Sequence, residues 1–233
     1  MTWATPISVA TAARGERFID MVAYADKAVG QIVAQLEKSS VREKTLIIFT
    51  GDNGTDTPIV TPWNDTKVVG GKGTMSDTGT RVPLIASWPS GIQKPGRVVN
   101  DLVEFTDIFP TLCDVTGAKL PKNHPADGAS IVPILHNKAD VRKKDWIYIW
   151  YRKQVMVRNE QYSFLANQGG GKASFTRYDG PFDGRKLNNS ALTKTERALK
   201  KQFEATITRL AKTRLSTASE KGRIEGLKNK TNR

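Results

Sequence analysis

The ten residues Thr45-Leu46-Ile47-Ile48-Phe49-Thr50-Gly51-Asp52-Asn53-Gly54 decide the fold class of this 233-residue chain. The first six are apolar or β-branched on both faces, which is typical of a strand buried on both sides in a parallel sheet flanked by helices. Before them, residues 16–38 carry apolar side chains at steps of three and four, which predicts an amphipathic helix. A helix followed by a buried strand is half of a βαβ unit, so the sequence predicts an α/β protein.

The alternation of strands and helices continues towards the C-terminus. Residues 83–88 predict a second strand, Val98-Val99 a short third one, and residues 107–116 a short helix that stops at Gly117. Between these strands, the residues that follow Gly54 predict a long loop, which contains Gly70-Gly71-Lys72-Gly73. The helix and strand alternation therefore extends over the first 137 residues.

The pattern changes after residue 137. Residues 146–151, 154–158, 161–165 and 174–178 predict antiparallel strands, and Thr193 and Glu196 form a capping box that opens a helix. We therefore predict three parts, which are an α/β portion over residues 1–137, an antiparallel sheet-and-helix subdomain over 138–211, and a basic, disordered tail over 212–233.

Composition excludes several classes of protein. Hydrophobic residues make up 38% of the chain, which argues against a wholly disordered protein, and no window approaches the roughly 18 apolar residues of a membrane span. Cys113 is the one cysteine, so neither an intrachain disulfide nor a cysteine-rich zinc site can form. We expect Cys113 to be a small buried apolar residue on the short helix.

The net charge of +13 is concentrated at the C-terminal end. The last 43 residues carry 12 Lys and Arg against 4 Asp and Glu, which is +8 of the total. Such a tail can attract a polyanion, but a solvated helix face with a frayed end is the favoured interpretation. No aromatic residue follows Phe203, and no zinc-finger or basic-region spacing occurs, so the tail does not indicate a nucleic-acid-binding protein.

Asp52 and Asn53 follow the carboxyl end of the first strand, the edge where open α/β sheets bind ligands. A carboxylate beside an amide carbonyl offers two hard oxygen donors, which suit Ca²⁺ or Mg²⁺. Asp-Asn-Gly is also a common turn sequence, so the turn interpretation stays open.

Lys72 lies between glycines, on a loop whose backbone can approach a ligand closely. An anion held by a metal at Asp52 and Asn53 would gain from such a cation, and a solvated turn is the alternative. The glycine spacing does not match a Walker motif. For the two histidines, His124 and His136, we expect surface or capping positions, because neither has a partner at metal-ligand spacing.

Six motifs in consistent order resemble the C-terminal half of the sulfatase family, within the alkaline-phosphatase-like superfamily. They occupy residues 24–30, 45–54, 71–73, 79–89, 106–112 and 127–130. The resemblance implies the C-terminal part of an alkaline-phosphatase-like mixed sheet with flanking helices, plus a small antiparallel sheet-and-helix subdomain. Residues 1–137 would then be the C-terminal portion of the catalytic domain.

The chemistry that the resemblance implies is hydrolysis of sulfate esters, as in arylsulfatases. It assigns Asp52 and Asn53 as the last two protein ligands of a calcium ion, and Lys72 as the lysine that grips the substrate's sulfate. The family's nucleophile is a formylglycine made from a Cys/Ser-x-Pro-x-Arg motif. This chain has no such motif, since residues 87–91 come close but place Gly91 where the arginine is needed.

We therefore expect the chain to be the C-terminal portion of a calcium-dependent sulfatase and to be inactive by itself, with no catalytic nucleophile of its own. Two alternatives stay open, which are a phosphate-ester hydrolase of the same superfamily and a non-catalytic module that binds polyanions through its basic tail. The family is often exported, and the first residues do not resemble a signal peptide, so the sequence leaves the localisation open.

Overall fold

The computed structural model describes residues 14–122, 126–138, 144–168 and 171–211. These residues divide into two compact units. The first contains the described residues up to Ile147 together with residues 159–161 and 178–185, and the second contains residues 148–158, 162–177 and those from 186 onwards. The predicted tail, residues 212–233, and His124 lie outside the described residues.

The first unit begins with the long helix α1 and continues with short strands and helices. Its elements are α1 (Arg14–Lys38), β1 (Ile47–Thr50), β2 (Val60–Trp63), β3 (Thr66–Val69), α2 (Asp77–Thr80), β4 (Leu84–Ser87), α3 (Ile108–Thr116) and α4 (Val132–Leu135). The predictions of α1, β1, β4 and α3 are confirmed, and Gly117 ends α3 in the left-handed conformation at φ 73°. The prediction of a strand at Val98-Val99 is wrong, because these residues form no ladder.

β1 pairs with β4 in the antiparallel sense, with Ile47 opposite Ser87 and Thr50 opposite Leu84. The sequence predicts that β1 is a parallel strand buried on both faces, and among the described residues this prediction is wrong. In these residues β1 and β4 form a two-stranded sheet, in which Phe49 keeps 38% of its surface exposed and Ile85 keeps 59%. Apolar residues on both faces of a strand are buried only where other elements cover both faces.

The core of the first unit is centred on α4. Ile131, Ile134 and Leu135 are buried, and Trp88 is among the half-buried side chains packed against them. A Cβ atom on Gly91 would overlap with the Trp88 ring, so this position accepts only glycine. The arginine of a Cys/Ser-x-Pro-x-Arg motif could not replace Gly91 without displacing the tryptophan.

Asp107 anchors the start of α3 and is fully buried. Its carboxylate accepts hydrogen bonds from the backbone N–H of Glu104 at 2.9 Å and of Ala129 at 2.8 Å. Lys144 Nζ completes the arrangement, at 2.7 Å from Asp107 Oδ1 and 2.6 Å from Glu104 Oε1. On the same helix Cys113 is buried, as the sequence predicts.

The second unit is built on an antiparallel sheet with one helix. The strands β5 (Ile147–Tyr151), β6 (Gln154–Arg158), β7 (Tyr162–Asn167), β8 (Ser174–Tyr178) and β9 (Gly184–Lys186) follow one another in spatial order. Helix α5 (Lys194–Ala211) packs on β6 and β7, and its Phe203 is buried with its ring 6.5 Å from that of Phe175. The predicted strands and the capping box of α5 are confirmed.

The architecture as a whole is the mixed α/β class that the sequence predicts. Among the described helices, none combines the length and the apolar character that crossing a lipid bilayer requires.

Candidate functional site

Three backbone segments of the first unit meet at the candidate site. They are the loop after β1, which carries Asp52 and Asn53, the loop after β3, which carries Lys72, and the short helix α2. The backbone N–H of Lys72 donates to the Thr55 carbonyl oxygen at 3.0 Å, and that of Gly54 donates to the Gly79 carbonyl oxygen at 3.2 Å. These two bonds join the first loop to the second loop and to α2.

Glycines make this close approach possible. A Cβ atom on Gly54 would overlap with the Thr78 carbonyl group, and one on Gly71 would overlap with the Thr78 hydroxyl. A Cβ atom on Gly79 would in turn overlap with the Gly71 carbonyl oxygen. In all three cases the overlapping atoms belong to a neighbouring segment. Each glycine is therefore required for the packing of the loops against α2.

The side chains of Asp52 and Asn53 are exposed and converge on each other. The Asn53 amide Nδ2 donates to Asp52 Oδ2 at 2.6 Å. In this arrangement the amide turns its nitrogen, and not its carbonyl oxygen, towards the carboxylate. A carboxylate and an amide carbonyl are hard oxygen donors of the kind that Ca²⁺ prefers, so the donor types fit that ion once the Asn53 amide rotates to present its oxygen. They provide two of the six to eight oxygens that Ca²⁺ takes, and the described ranges contain no cluster of three or more His, Cys, Asp or Glu residues.

Lys72 is exposed at the tip of its loop. The hydrogen bond from its backbone to Thr55 places it beside the loop of Asp52 and Asn53. The structure thus brings together the loops of all three residues that the sequence singles out. The roles of these residues in binding metal and sulfate stay predictions.

His136 does not belong to this group, and His124 lies outside the described residues. His136 follows α4, with its ring centroid 6.2 Å from that of Trp88, beside the apolar core. This half-buried position agrees with a structural rather than a catalytic residue.

Hydroxyl groups that the sequence analysis did not single out surround Gly71. Thr74 Oγ1 lies 2.7 Å from Ser76 Oγ, which in turn lies 3.1 Å from Thr78 Oγ1, and Thr74 also donates to the Gly71 carbonyl oxygen at 2.7 Å. The alternation of hydroxyl residues in Thr74-Met75-Ser76-Asp77-Thr78 is the signal that could have indicated them. These bonds support the lysine loop from its C-terminal side.

The fold is mixed α/β, with an acid and an amide after a strand and a lysine on a neighbouring glycine loop. Family models identify the class of protein that has this fold. The model "Sulfatase" matches residues 10–118, and the model "N-sulphoglucosamine sulphohydrolase, C-terminal" matches residues 70–213, which is more than half of the chain. The chain belongs to the sulfatase family.

Individual proteins agree with this assignment. The chain is 31% identical over 135 residues to the steryl-sulfatase of Mus musculus and 31% identical over 145 residues to an ulvan-active sulfatase of Formosa agariphila. These alignments cover 55% and 58% of the chain, but only 22% and 26% of the relatives. The chain thus spans about a quarter of the length of these relatives.

A solved structure gives the likeness in three dimensions. Ps i-CgsB, in complex with k-i-k-neocarrahexaose, superposes with a TM-score of 0.67 over 86% of this chain and 44% of that one. At 23% identity the superposition supports the fold, which is that of the alkaline-phosphatase-like sulfatases.

Proposed function

We propose that this chain supplies the sulfate-binding lysine and two calcium ligands to the active site of a sulfatase that hydrolyses sulfate esters. The observation that carries the proposal is the backbone hydrogen bond between Lys72 and Thr55. It joins the loop of the cation to the loop that bears Asp52 and Asn53, so that all three side chains extend from one connected set of loops.

Asp52 and Asn53 are the residues that would hold calcium, with the carboxylate supplying charge and the amide a neutral oxygen. A bound calcium ion would neutralise sulfate oxygens and polarise the sulfur–oxygen bonds as a Lewis acid. The sulfatase family, to which the chain belongs, is generally calcium-dependent, and this supports the assignment. The remaining oxygen ligands would come from other groups.

Lys72 would pair its ammonium group with a sulfate oxygen of the ester. A fixed cation there offsets the negative charge of the bound ester and holds the sulfate group in one position. Lys72 is exposed at the tip of its loop, so its ammonium group is accessible to an ester.

The chain would act as the C-terminal portion of a longer enzyme, with residues 1–137 belonging to the catalytic domain, 138–211 to the antiparallel subdomain and 212–233 to a basic tail. Two observations support this. The relatives are about four times as long as the aligned region, and α1 exposes the large apolar side chains of Ile19 and Met21, which are 67% and 69% accessible. The formylglycine nucleophile would come from the remainder of that enzyme.

The substrate of the whole enzyme would be a sulfate ester of a larger ring-containing molecule. The two relatives are named for steryl and ulvan substrates, and Ps i-CgsB holds an oligosaccharide. These names support the class of sulfate esters, with a steroid or a carbohydrate as the alcohol.

The proposal is tested by calorimetric titration of the purified chain with inorganic sulfate, with and without calcium. Lys72→Gln should weaken sulfate binding by about tenfold or more, because it removes a charged hydrogen-bond donor. Lys27→Gln, which removes an exposed lysine of α1, should leave the affinity unchanged. Equal affinities for the two variants would overturn the role of Lys72.

Two further measurements separate this function from its alternatives. The purified chain should not hydrolyse 4-nitrophenyl sulfate, and turnover above background would contradict the absence of a nucleophile from the chain. Tighter calcium-dependent binding of inorganic phosphate than of sulfate would favour the phosphate-ester hydrolase.

A further inference from the structure

A cleft of about 410 Å³ opens beside the candidate site, within the first unit. It lies between the β2–β3 hairpin and the turn that contains Phe182. Its lining includes Trp63, Asn64, Lys67, Thr78, Phe182 and Asp183. Two aromatic rings with a few polar groups around them are the usual composition of a site for a small organic molecule.

The backbone of Phe182 is strained. A hydrogen bond of 3.4 Å from the Asp183 N–H to the Gly180 carbonyl oxygen closes a turn with Pro181 at its second position and Phe182 at its third. Phe182 has φ 64°, a conformation that type II turns normally give to glycine or asparagine at this position. A bulky residue there is unfavourable, and such strain is typical of functional sites. The chain thus keeps an aromatic ring in the cleft at a cost in stability.

The two aromatic rings form a fixed pair. Trp63 and Phe182 meet edge to face, with centroids 5.7 Å apart and planes at 87°, and the Arg81 guanidinium lies over the Phe182 ring at 5.8 Å. Trp63 keeps 48% of its surface exposed, and the Thr66 hydroxyl donates to its carbonyl oxygen at 3.0 Å across the hairpin turn. The Phe182 ring therefore packs against the indole, the hairpin bond holds the Trp63 backbone, and about half of the Trp63 surface stays accessible to a ligand.

Thr78 connects this cleft to the candidate sulfate site. Thr78 lines the cleft, while its carbonyl and hydroxyl groups are the ones that exclude a Cβ atom at Gly54 and Gly71. The cleft therefore adjoins the loops that carry Asp52, Asn53 and Lys72. A molecule whose sulfate lies at Lys72 could extend its other end into the cleft.

We propose that Trp63 and Phe182 form a subsite for the pyranose ring of a sulfated carbohydrate, whose sulfate is held at Lys72. The inference rests on the proposed function and specifies its substrate class. A pyranose has an apolar face of C–H groups that can lie on the indole, and its hydroxyl groups can donate to Asp183 and pair with Asn64. The Lys67 ammonium group and the Asp183 carboxylate line the same cleft with opposite charges, and both can pair with the hydroxyl groups of a neutral ring.

A steroid or aryl group is the competing occupant, and the polar rim argues against it. Asn64, Lys67 and Asp183 would lose water against a hydrocarbon without gaining hydrogen bonds. A hydroxyl-bearing ring satisfies these groups while it covers the indole. The observations therefore favour a carbohydrate.

The test is a ligand-detected saturation-transfer NMR titration of the purified chain in the presence of calcium. The probes are D-galactose 4-sulfate, phenyl sulfate and methyl sulfate, which share the sulfate ester and differ in the ring. The galactose ester should bind about tenfold more tightly than methyl sulfate. Trp63→Ala should abolish this difference while the affinity for methyl sulfate stays unchanged, and Trp63→Tyr should keep most of it.

Phe182→Gly separates ligand binding from stability. It relieves the backbone strain at φ 64°, so we expect a higher melting temperature together with loss of the preference for the galactose ester. The subsite would be overturned if the parent chain and Trp63→Ala showed the same preference for the galactose ester over methyl sulfate. It would also be overturned if phenyl sulfate bound more tightly than the galactose ester and this difference depended on Trp63. Absence of binding of the galactose ester would overturn it as well.

The same titrations distinguish this inference from the proposed function. Lys72→Gln should weaken the binding of the galactose ester and of methyl sulfate by the same factor, because both ligands carry the sulfate group. If Lys72→Gln weakens the binding of both probes while Trp63→Ala leaves both affinities unchanged, the sulfate site is supported and the carbohydrate subsite is wrong. If Lys72→Gln weakens the binding of neither probe, the proposed sulfate site is wrong.

Discussion

The backbone N–H of Lys72 donates a 3.0 Å hydrogen bond to the carbonyl oxygen of Thr55. The bond connects two loops that are far apart in sequence, and it places the lysine without using the lysine side chain. Long charged side chains at a loop tip are mobile, so the backbone determines where the ammonium group can act. Substitutions that disturb the packing of these loops should therefore affect the site as much as substitutions of Lys72 itself.

Gly54→Ala should destabilise the first unit by about 1–3 kcal/mol or more, because its methyl group would overlap with the Thr78 carbonyl group. Gly30→Ala is the matched control. Gly30 lies in the helix α1 with no atom near the position of a Cβ, so we expect a gain of about 0.5–1 kcal/mol. Urea unfolding followed by tryptophan fluorescence compares the two variants. Equal effects would contradict the packing of Gly54 against α2.

Asp52→Asn should lower the calcium affinity of the chain about tenfold or more, because it removes the charged member of the donor pair. Asp56→Asn removes the same charge from an exposed residue in the following part of the loop, and it should leave the affinity nearly unchanged. Calorimetric titration with calcium chloride measures both. If the two variants lose affinity equally, the binding reflects the general charge of the loop and not a site at Asp52 and Asn53.

Sequence patterns correctly predict those helices, turns and caps whose stabilising contacts join residues that are close together in the chain. The apolar period of α1, the turn between β6 and β7, and the Thr193–Glu196 capping box all depend on residues close together in the chain. The sequence analysis does not predict the β2–β3 hairpin, although Asn64 and Asp65 are turn residues between Trp63 and Thr66, which both favour strands. Pro62 and the nearby glycines favour a loop when they are considered alone.

Contacts between segments that are distant in the chain could not be predicted from the sequence. The pairing of β1 with β4 joins residues 47 and 87, and no local pattern chooses between antiparallel and parallel partners. The sequence named Asp52, Asn53 and Lys72 as candidates, but their proximity depends on the contacts of Gly54 and Gly71 with α2. Likewise, Pro181 indicates a turn, but no local signal indicates that this turn brings Phe182 against Trp63.

Lys144→Met should destabilise the first unit by about 3 kcal/mol, because it removes the 2.7 Å ion pair with the buried carboxylate of Asp107. The two backbone N–H groups that remain bonded to Asp107 keep the loss from being larger. Lys200→Met breaks the exposed ion pair with Glu204 on α5, and this change should cost less than about 1 kcal/mol. Urea unfolding of both variants measures the contrast, and equal losses would contradict the buried role of Lys144.

The capping box of α5 should make the stability of this helix depend on pH. The Thr193 backbone N–H donates to Glu196 Oε2 at 2.8 Å, and this bond, with one from the Thr193 hydroxyl, lowers the pKa of Glu196 from its ordinary value of 4.5. A lowered pKa in the folded state means that the carboxylate adds stability above pH 4.5, which is lost as the pH falls through the lowered value.

Thermal unfolding of the parent chain and of Glu196→Gln, followed by circular dichroism at 222 nm, measures this dependence. The parent should melt at the higher temperature at pH 7, and the gap should close as the pH falls below 4.5, because both side chains are then neutral. Thr193→Ala removes the hydroxyl that caps the helix and should cost about 1 kcal/mol at pH 7. A gap between the parent and Glu196→Gln that stays constant from pH 7 to pH 3 would show that the charge of Glu196 does not stabilise the helix, since only the ionised carboxylate distinguishes the two proteins electrostatically.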